Sequence, residues 1–302
     1  MKKYIVFLLP FILNFSLRAQ DLLSELNALD SGKKENVIAT FKGTRLINLH
    51  TIETLTKGSL DFRISHRFGE INTGGENLWG LDGPATIRLG LDYSITDNFV
   101  VGIGRTSYRQ YFDGFAKYKL WQQQNGGKKF SLVGIASVNV TGEKDQNKAI
   151  TGIDRYENFS SRMAYLFQIL VARKFNEKFS LQLAPTLIHY NLVDRANDKN
   201  DIFAIAASGR YKITRSLAIT GEYIARPLKY TPIQDDYFDV LSIGLDIETG
   251  GHVFQLFFTN AFAINEVQLI PYTNTSWKDK GVRFGFNISR VFALRDQSKS
   301  KW

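Results

Sequence analysis

Apolar and polar side chains alternate with a period of two between residues 85 and 95. Successive side chains of a β-strand point to opposite faces, so this alternation indicates a strand with one apolar face. Residues 96–98, Thr-Asp-Asn, allow only a hairpin turn before the apolar parity resumes at Phe99. The same unit recurs along the chain and predicts an all-β fold. In this strand the apolar parity consists of Ala85, Ile87, Leu89, Leu91, Tyr93 and Ile95.

Twelve strands can be predicted in this way. Most of them are near the 9–11 residues that a tilted transmembrane β-strand needs to cross a bilayer. Their predicted bounds are Leu60–Phe68, Ala85–Ile95, Phe99–Tyr108, Phe112–Trp121, Phe130–Val140, Arg162–Phe175, Phe179–Tyr190, Ile202–Ile213, Leu217–Arg226, Tyr237–Ile247, Val253–Phe262 and Val282–Phe292.

The connections between the strands differ in length on the two sides. Short turns at 96–98, 125–127, 176–178, 214–216 and 248–251 separate long loops at 69–84, 141–161, 191–201, 227–236 and 263–281. Short periplasmic turns and long outer loops are typical of a bacterial transmembrane, antiparallel, up-and-down β-barrel, here of about 12 strands. A soluble β-sandwich would also alternate, but the long, uniform strands and the two-sided loop lengths favour the barrel. Residues 44–55 do not alternate cleanly, and we expect them to lie under or in the barrel mouth.

The N-terminus has the features of an export signal. Lys2 and Lys3 precede an apolar run, Tyr4–Phe15, and Ala19 suits the last position before cleavage. The alternative, a membrane anchor helix, needs roughly 20 apolar residues. We therefore predict a signal peptide at 1–19, an N-terminal periplasmic segment or plug at 20–58, an outer-membrane barrel at 59–294 and a polar tail at 295–302. An even strand number places both termini in the periplasm.

Composition and charge narrow the function classes. The chain has no cysteine, which excludes a lipoprotein anchor, disulfides and thiolate metal sites, and no cofactor is predicted. The net charge of +9 would fall to +6 on loss of Lys2, Lys3 and Arg18 with the signal peptide. In an exported protein this excess favours lipopolysaccharide phosphates or an anionic solute as partners, and not nucleic acid.

The charged side chains of the strands lie on the polar parity and should face the lumen. An Arg or Lys on the lipid face at mid-bilayer costs about 2–4 kcal/mol. These groups either form ion pairs that fill a narrow lumen or line a water-filled channel that favours anions. The candidate lumen-lining residues are Arg63, Arg67, Arg88, Asp92, Lys117, Arg210, Glu222, Asp246 and Arg283.

Aromatic residues are frequent, with 23 Phe, 13 Tyr and 4 Trp, and many fall at predicted strand ends. Amphipathic rings prefer the headgroup zone, so these residues are expected to form the interfacial girdles of a barrel. They are Tyr93, Phe99, Tyr108, Tyr111, Phe130, Phe175, Phe179, Tyr190 and Tyr237.

Hydrolytic chemistry usually needs a His beside a nucleophile or a metal. The chain contains only His50, His66, His189 and His252, none at a metal-ligand spacing from another, and we predict that it is not an enzyme. A lipid-modifying enzyme that uses His66 or His189 stays an alternative.

The segment TRLINLHTIETLTKGSLDFRISHRFGEIN, residues 44–72, resembles an uncharacterised outer-membrane β-barrel family of Bacteroidota with ISHRFG at the first strand. The resemblance implies a barrel with no established activity. It adds Asn48, His50 and Glu53 as candidates that either dock the N-terminal segment against the barrel base or belong to a plug.

The sequence thus predicts a porin-like outer-membrane barrel that is a passive channel or binds a small, preferably anionic solute. The first alternative is a closed barrel with a structural or partner-docking role, through a periplasmic protein at residues 21–55 or a partner at the outer loops. Outer-membrane lipid and lipopolysaccharide are the expected surroundings.

Overall fold

The fold is a closed antiparallel barrel of twelve strands, as predicted. The structure, a computed structural model, describes residues 34–145, 148 and 152–294, so the predicted signal peptide and C-terminal tail lie outside the described residues. Each strand pairs with its neighbours in sequence, and the first pairs with the last. The strands are β1 (Ser59–Glu70), β2 (Thr86–Thr96), β3 (Phe99–Thr106), β4 (Tyr111–Trp121), β5 (Ser131–Thr141), β6 (Met163–Lys174), β7 (Phe179–Tyr190), β8 (Asp201–Lys212), β9 (Leu217–Ala225), β10 (Val240–Thr249), β11 (His252–Thr259) and β12 (Arg283–Ala293).

The two faces of the wall have opposite character. In the β1–β2 pair, Phe62 opposes Leu91 on the outer surface, and Asp61 opposes Asp92 inside. Leu91 is 40% exposed, whereas both aspartates are buried. Apolar side chains point outward and polar side chains point inward along most strands, which gives the barrel an apolar outer belt. Such a belt suits a wall whose surrounding solvent is lipid.

The barrel has two different ends. At the turn rim, β1 begins and β12 ends, and the connections are residues 97–98, 122–130, 175–178, 213–216 and 250–251. At the loop rim the connections are residues 71–85, 107–110, 142–162, 191–200, 226–239 and 260–282. The β3–β4 connection, 107–110, is the one short connection of the loop rim among the described elements.

The lumen contains a hairpin-like turn that enters from the turn rim. This plug, residues 40–52, is buried except at positions 42 and 43, which are half-buried. Its two arms are joined by Leu46 N to Leu49 O at 3.0 Å and Thr51 N to Thr44 O at 2.9 Å. These residues add no strand to the barrel.

The longest part of the loop rim folds into the lumen from the other end. This roof, residues 260–282, contains helix α1 (Glu266–Tyr272), whose Val267, Leu269 and Ile270 are fully buried. The long connection predicted at residues 263–281 is confirmed, with bounds 260–282. Its inward fold could not be predicted, because the apolar positions of α1 are too few and too closely spaced to stand out, and only the open barrel mouth gives them a surface to pack on. No helix in the described part of the chain is long and apolar enough to cross a membrane.

The lumen is polar on one side and apolar on the other. The inward faces of β5–β9 carry Val133, Leu166, Leu170 and Ile188, which form one cluster with plug and roof side chains. Most inward charges lie on β1–β4 and β9–β12. The expectation of a polar lumen therefore holds for part of the wall only.

We expect a charge on the outer belt to destabilise the barrel more at the middle of the bilayer than near its surface. Leu91→Arg, at the middle of β2, should lower the free energy of unfolding in lipid vesicles by about 2–4 kcal/mol. Leu120→Arg, exposed near the turn-rim end of β4, should lower it by about 0–1 kcal/mol, because an Arg near the interface reaches water. Urea titration of both variants measures the difference. Equal losses would contradict an outer face in contact with lipid.

Candidate functional site

The plug tip is held by a carboxylate of the wall. Glu222 of β9 accepts hydrogen bonds from the backbone N–H groups of Ile47 at 3.1 Å, Asn48 at 2.8 Å and Leu49 at 3.2 Å. The side-chain amide of Asn48 donates a fourth, at 3.0 Å. A turn exposes consecutive N–H groups on one side, and a buried carboxylate satisfies all of them at once. Glu222 is thus the principal anchor of the tip.

Three further strands complete the pocket around the tip. The Asn48 amide donates to Ser242 Oγ of β10 at 2.9 Å, and Asn287 of β12 donates to Ile47 O at 2.8 Å. Arg67 of β1 donates to Asn48 Oδ1 at 3.0 Å and lies over the ring of Phe257, 4.2 Å from its centroid. The tip therefore contacts four strands through polar groups.

The arms of the plug are bound in the same way. Lys117 of β4 donates to Glu53 O and, at 3.4 Å, to Thr44 O. Gln182 of β7 donates to His50 O at 2.8 Å, and Gln255 of β11 donates to Arg45 O at 3.3 Å. Each of these partners is a main-chain carbonyl.

A smaller network holds the first arm of the plug through its side chains. Arg63 Nη2 donates to Thr44 Oγ1 at 3.2 Å and to Asp61 Oδ2 at 3.3 Å. Glu53, which is half-buried, accepts from Phe41 N at 3.0 Å and so ties the two arms together. The predicted plug residues Asn48, His50 and Glu53 all lie in or beside this hairpin.

The plug meets the roof at a buried charged cluster. Arg45 Nη2 lies 2.7 Å from His50 Nε2, and Arg45 Nη1 lies 3.6 Å from the Glu266 carboxylate of α1. Burial, with the neighbouring Arg45 and Lys117, lowers the pKa of His50 well below its ordinary value. His50 is therefore neutral and accepts from Arg45. Burial raises the pKa of Glu266, although Arg45 opposes that effect.

The roof is also attached to the wall beside this cluster. Arg88 of β2 and Asp113 of β4 form a bidentate pair, with distances of 3.0 and 2.5 Å. Asn265, the N-cap residue of α1, donates to Asp113 at 3.3 Å and to Asn139 at 2.9 Å. Arg88 lies flat on the wall because Gly104 has no Cβ, and any side chain there would collide with its guanidinium.

The remaining predicted lumen residues are also inside. Arg283 pairs with Glu70 at 2.7 Å near the loop rim, and Asp246 accepts from Gln255 at 3.0 Å. Arg210 forms no ion pair within 4 Å among the described residues. All nine predicted lumen residues have relative exposures of 9% or less: Arg63, Arg67, Arg88, Asp92, Lys117, Arg210, Glu222, Asp246 and Arg283.

Two predicted girdle residues face the wrong way for that role. Tyr111 and Tyr190 are each 5% exposed and point into the lumen near the loop rim. The Tyr190 hydroxyl donates to Val267 O of the roof, and Tyr230 donates to Pro271 O. Strand parity, which fixes the direction of a side chain, overrides the general preference of tyrosine for the interface.

Several residues of the site escaped the sequence analysis. Gln182, Gln255 and Asn287 occupy the inward parity of their strands. They could have been predicted to face the lumen from this parity, but only charged side chains were considered as candidates. Asn265 and Glu266 lie at the start of α1, in the long β11–β12 connection, where the sequence has no comparable signal.

The plug and roof leave little open space in the lumen. A cavity of about 10 Å³ lies between Arg45, Arg88 and Glu266, and one of about 20 Å³ lies at the loop rim beside Arg109 and Tyr272. Spaces of this size hold about one water molecule. A larger groove of about 310 Å³ lies outside the lumen, at the turn rim beside Ile38. The described residues of the plug and the roof thus occupy the lumen from its two ends.

The histidines do not form a hydrolytic site. His66 points outward and stacks on Phe286 with ring centroids 5.2 Å apart, and His189 lies 2.7 Å from Asp201 at the exposed loop rim. No serine or threonine hydroxyl in the described part of the chain is hydrogen-bonded to a histidine side chain. Among the described residues, no three His, Asp or Glu side chains are grouped so that they could hold a metal ion.

Removal of the Glu222 anchor should release the plug before it unfolds the barrel. Glu222→Ala leaves buried N–H groups without an acceptor, at a cost of about 1–3 kcal/mol for each group that finds no replacement. In a Thr40→Cys background, where the cysteine replaces a residue that is 1% exposed, maleimide labelling should become at least roughly tenfold faster, which corresponds to about 1.4 kcal/mol.

The matched control for this experiment is Asp201→Ala, which removes a carboxylate outside the lumen and should leave the labelling rate unchanged. The chain has no native cysteine to complicate the measurement. Equal labelling rates in the Glu222→Ala and Asp201→Ala variants would contradict the anchoring role.

The chain shows similarity to solved porin structures. No curated protein matches the chain. Among solved structures, the KdgM porin aligns with 11% identity over 78% of this chain and 99% of its own, with a TM-score of 0.47. The NanC porin aligns with 8% identity over 77% and 98% of the two chains, with a TM-score of 0.46. A mutant porin of Rhodopseudomonas blastica aligns with 11% identity over 68% and 55%, with a TM-score of 0.30.

The comparison with family models gives a match over most of the chain. The model is described as a membrane bound beta barrel domain, DUF5777, and it matches residues 41–292. The match begins inside the plug and ends in β12, so the plug is part of the matched domain. The chain belongs to this family of membrane-bound β-barrels.

Proposed function

We propose that this protein is an outer-membrane barrel that is closed at rest by its own N-terminal segment. Small solutes, preferably anions, pass through the lumen only after the plug withdraws. The observation that carries the proposal is the attachment of the plug. It is one chain segment, bound to the wall by hydrogen bonds that water can replace, and its connections to the rest of the chain lie at the turn rim.

The tethers define the direction of withdrawal. Before the plug, Val37 N donates to Gln123 O at 2.8 Å at the turn rim. After the plug, Thr54 Oγ1 donates to Asp97 O at 2.6 Å, and Lys57 N donates to Asp97 Oδ1 at 2.8 Å. The roof covers the opposite end. The plug therefore leaves toward the turn rim, which we assign to the periplasm because both ends of the barrel sequence and most of the short turns lie there.

The charge of the vacated lumen supports a preference for anions. Seven basic and five acidic side chains of the strands are buried on the inner face. In the confined, low-dielectric space of a pore, a surplus of one sign raises the local concentration of the opposite ion. The basic residues are Arg63, Arg67, Arg88, Lys117, Lys119, Arg210 and Arg283, and the acidic ones are Asp61, Asp92, Asp113, Glu222 and Asp246.

The second candidate is a closed barrel with a structural or partner-docking role. The apolar contacts of the plug favour it. Phe41, Leu46, Leu49 and Ile52 are at most 1% exposed and belong to the interior cluster. Burial of a large aliphatic or aromatic side chain contributes about 1.5–3 kcal/mol, so these four residues resist spontaneous withdrawal. Under the gating proposal, a periplasmic partner supplies the work of withdrawal.

We expect the purified protein to be silent in a planar bilayer and Leu49→Asp to open it. The new carboxylate would lie in the apolar cluster and close to Glu222, which accepts from Leu49 N. Leu49→Met keeps the volume and polarity and should stay silent. Single-channel conductance measures the difference. A folded Leu49→Asp barrel without openings would favour the closed, partner-docking protein.

The open state should select for anions partly through Arg210. In the Leu49→Asp background, the reversal potential in a KCl gradient should indicate anion preference. Adding Arg210→Gln removes a lumen charge that has no ion-pair partner within 4 Å among the described residues, and should move the reversal potential toward zero. Arg173→Gln, an exposed change on β6, is the matched control. An unchanged reversal potential in the Arg210→Gln variant would contradict a contribution of lumen charge to selectivity.

A further inference from the structure

The wall recognises the plug mainly through the plug main chain. Glu222 accepts from three consecutive backbone N–H groups. Lys117, Gln182, Gln255 and Asn287 each donate to a plug carbonyl. Main-chain amides are common to all peptides, so these contacts do not depend on the plug sequence.

The polar wall groups are matched to amide chemistry in both directions. Amide and ammonium groups of the wall face the carbonyl groups of the plug, and the carboxylate of Glu222 faces its N–H groups. A phosphate or a free carboxylate at the tip pocket would meet the like charge of Glu222. A peptide turn offers converging N–H groups and flanking carbonyl groups together.

The opposite side of the lumen accepts apolar side chains. Leu46 and Leu49, which flank the tip, pack into the cluster that contains Leu166 and Ile188 of the wall. The lumen thus presents both hydrogen-bonding groups and an aliphatic surface to the plug. Both surfaces are needed to bind a short peptide that carries aliphatic residues.

Withdrawal of the plug would leave this surface without its partner. Glu222 and Asn287 would exchange amide contacts for water, and the aliphatic surface would be exposed. An incoming peptide restores both kinds of contact, as the plug does now. The plug tip then corresponds to a tethered copy of the ligand, and its tether gives it an effective concentration of about millimolar in competition.

We propose that the lumen wall at Arg67, Glu222, Ser242 and Asn287 is a binding site for short peptides with aliphatic side chains, occupied at rest by the plug tip. The proposal rests on the proposed withdrawal of the plug. Short peptides are then the class of solute that binds in the open lumen.

Peptide binding to the full-length Leu49→Asp protein tests the proposal. The probe is the acetylated tetrapeptide amide Leu-Ile-Asn-Leu, a copy of residues 46–49, and isothermal titration calorimetry measures its affinity for the folded protein in detergent. We expect saturable binding to Leu49→Asp and at least tenfold weaker binding to the native chain, whose tethered plug competes.

Two comparisons separate main-chain recognition from adhesion to apolar surface. N-methylation of the backbone nitrogens of the Ile, the Asn and the second Leu of the probe removes the donors from which Glu222 accepts and should weaken binding at least tenfold. Glu222→Gln in the Leu49→Asp background should weaken binding of the unmethylated probe by a similar factor, whereas Asp201→Asn should not. No binding to Leu49→Asp, or equal binding of the methylated and unmethylated probes, would overturn the proposal.

The conductance of the same Leu49→Asp protein, measured separately from peptide binding, distinguishes failure of the peptide site from failure of the proposed channel. Openings without peptide binding would overturn the peptide site and leave the gated channel in place. Peptide binding by a folded but silent barrel would support the site and count against the proposed channel.

Discussion

The requirement that every buried main-chain group find a hydrogen-bond partner governs this structure. In a wall surrounded by lipid, the backbone can be satisfied only by its neighbours, and closure of β1 on β12 removes the last free edge. The same requirement applies a second time inside the barrel. The plug has no sheet to join, so wall side chains supply the partners that its amides need.

This second requirement explains why the inner face carries so many uncharged polar residues beside the charged ones. Gln182, Gln255 and Asn287 each donate to a plug carbonyl, and Glu222 accepts from the tip. Because water competes for the same groups, a hydrogen bond between neutral groups is worth about 0.5–1.5 kcal/mol net and one to a charged group about 1.5–3 kcal/mol. The polar groups of the lumen position the plug, and the apolar cluster adds to the resistance to its removal.

The plug and the roof close the lumen together. They share the apolar cluster and meet at the pair of Arg45 and Glu266. The roof is continuous with β11 and β12 and accepts hydrogen bonds from Tyr190 and Tyr230. The plug has both of its connections at the turn rim.

The sequence by itself determined the barrel, its strand number and the direction of nearly every strand side chain. Period-two alternation is a local property, and lipid forbids charge on one face, so Arg63, Arg88 and Glu222 could be placed inside from parity alone. The exclusion of residues 44–55 from the barrel followed from the same rule. Only the tertiary structure decided what those side chains contact, that the inner faces of β5–β9 contribute to an apolar cluster, and that residues 260–282 fold inward. These features depend on contacts between residues far apart in sequence, such as Asn48 with Glu222 and Arg45 with Glu266. Such contacts form only when the barrel closes, so a local sequence pattern cannot predict them.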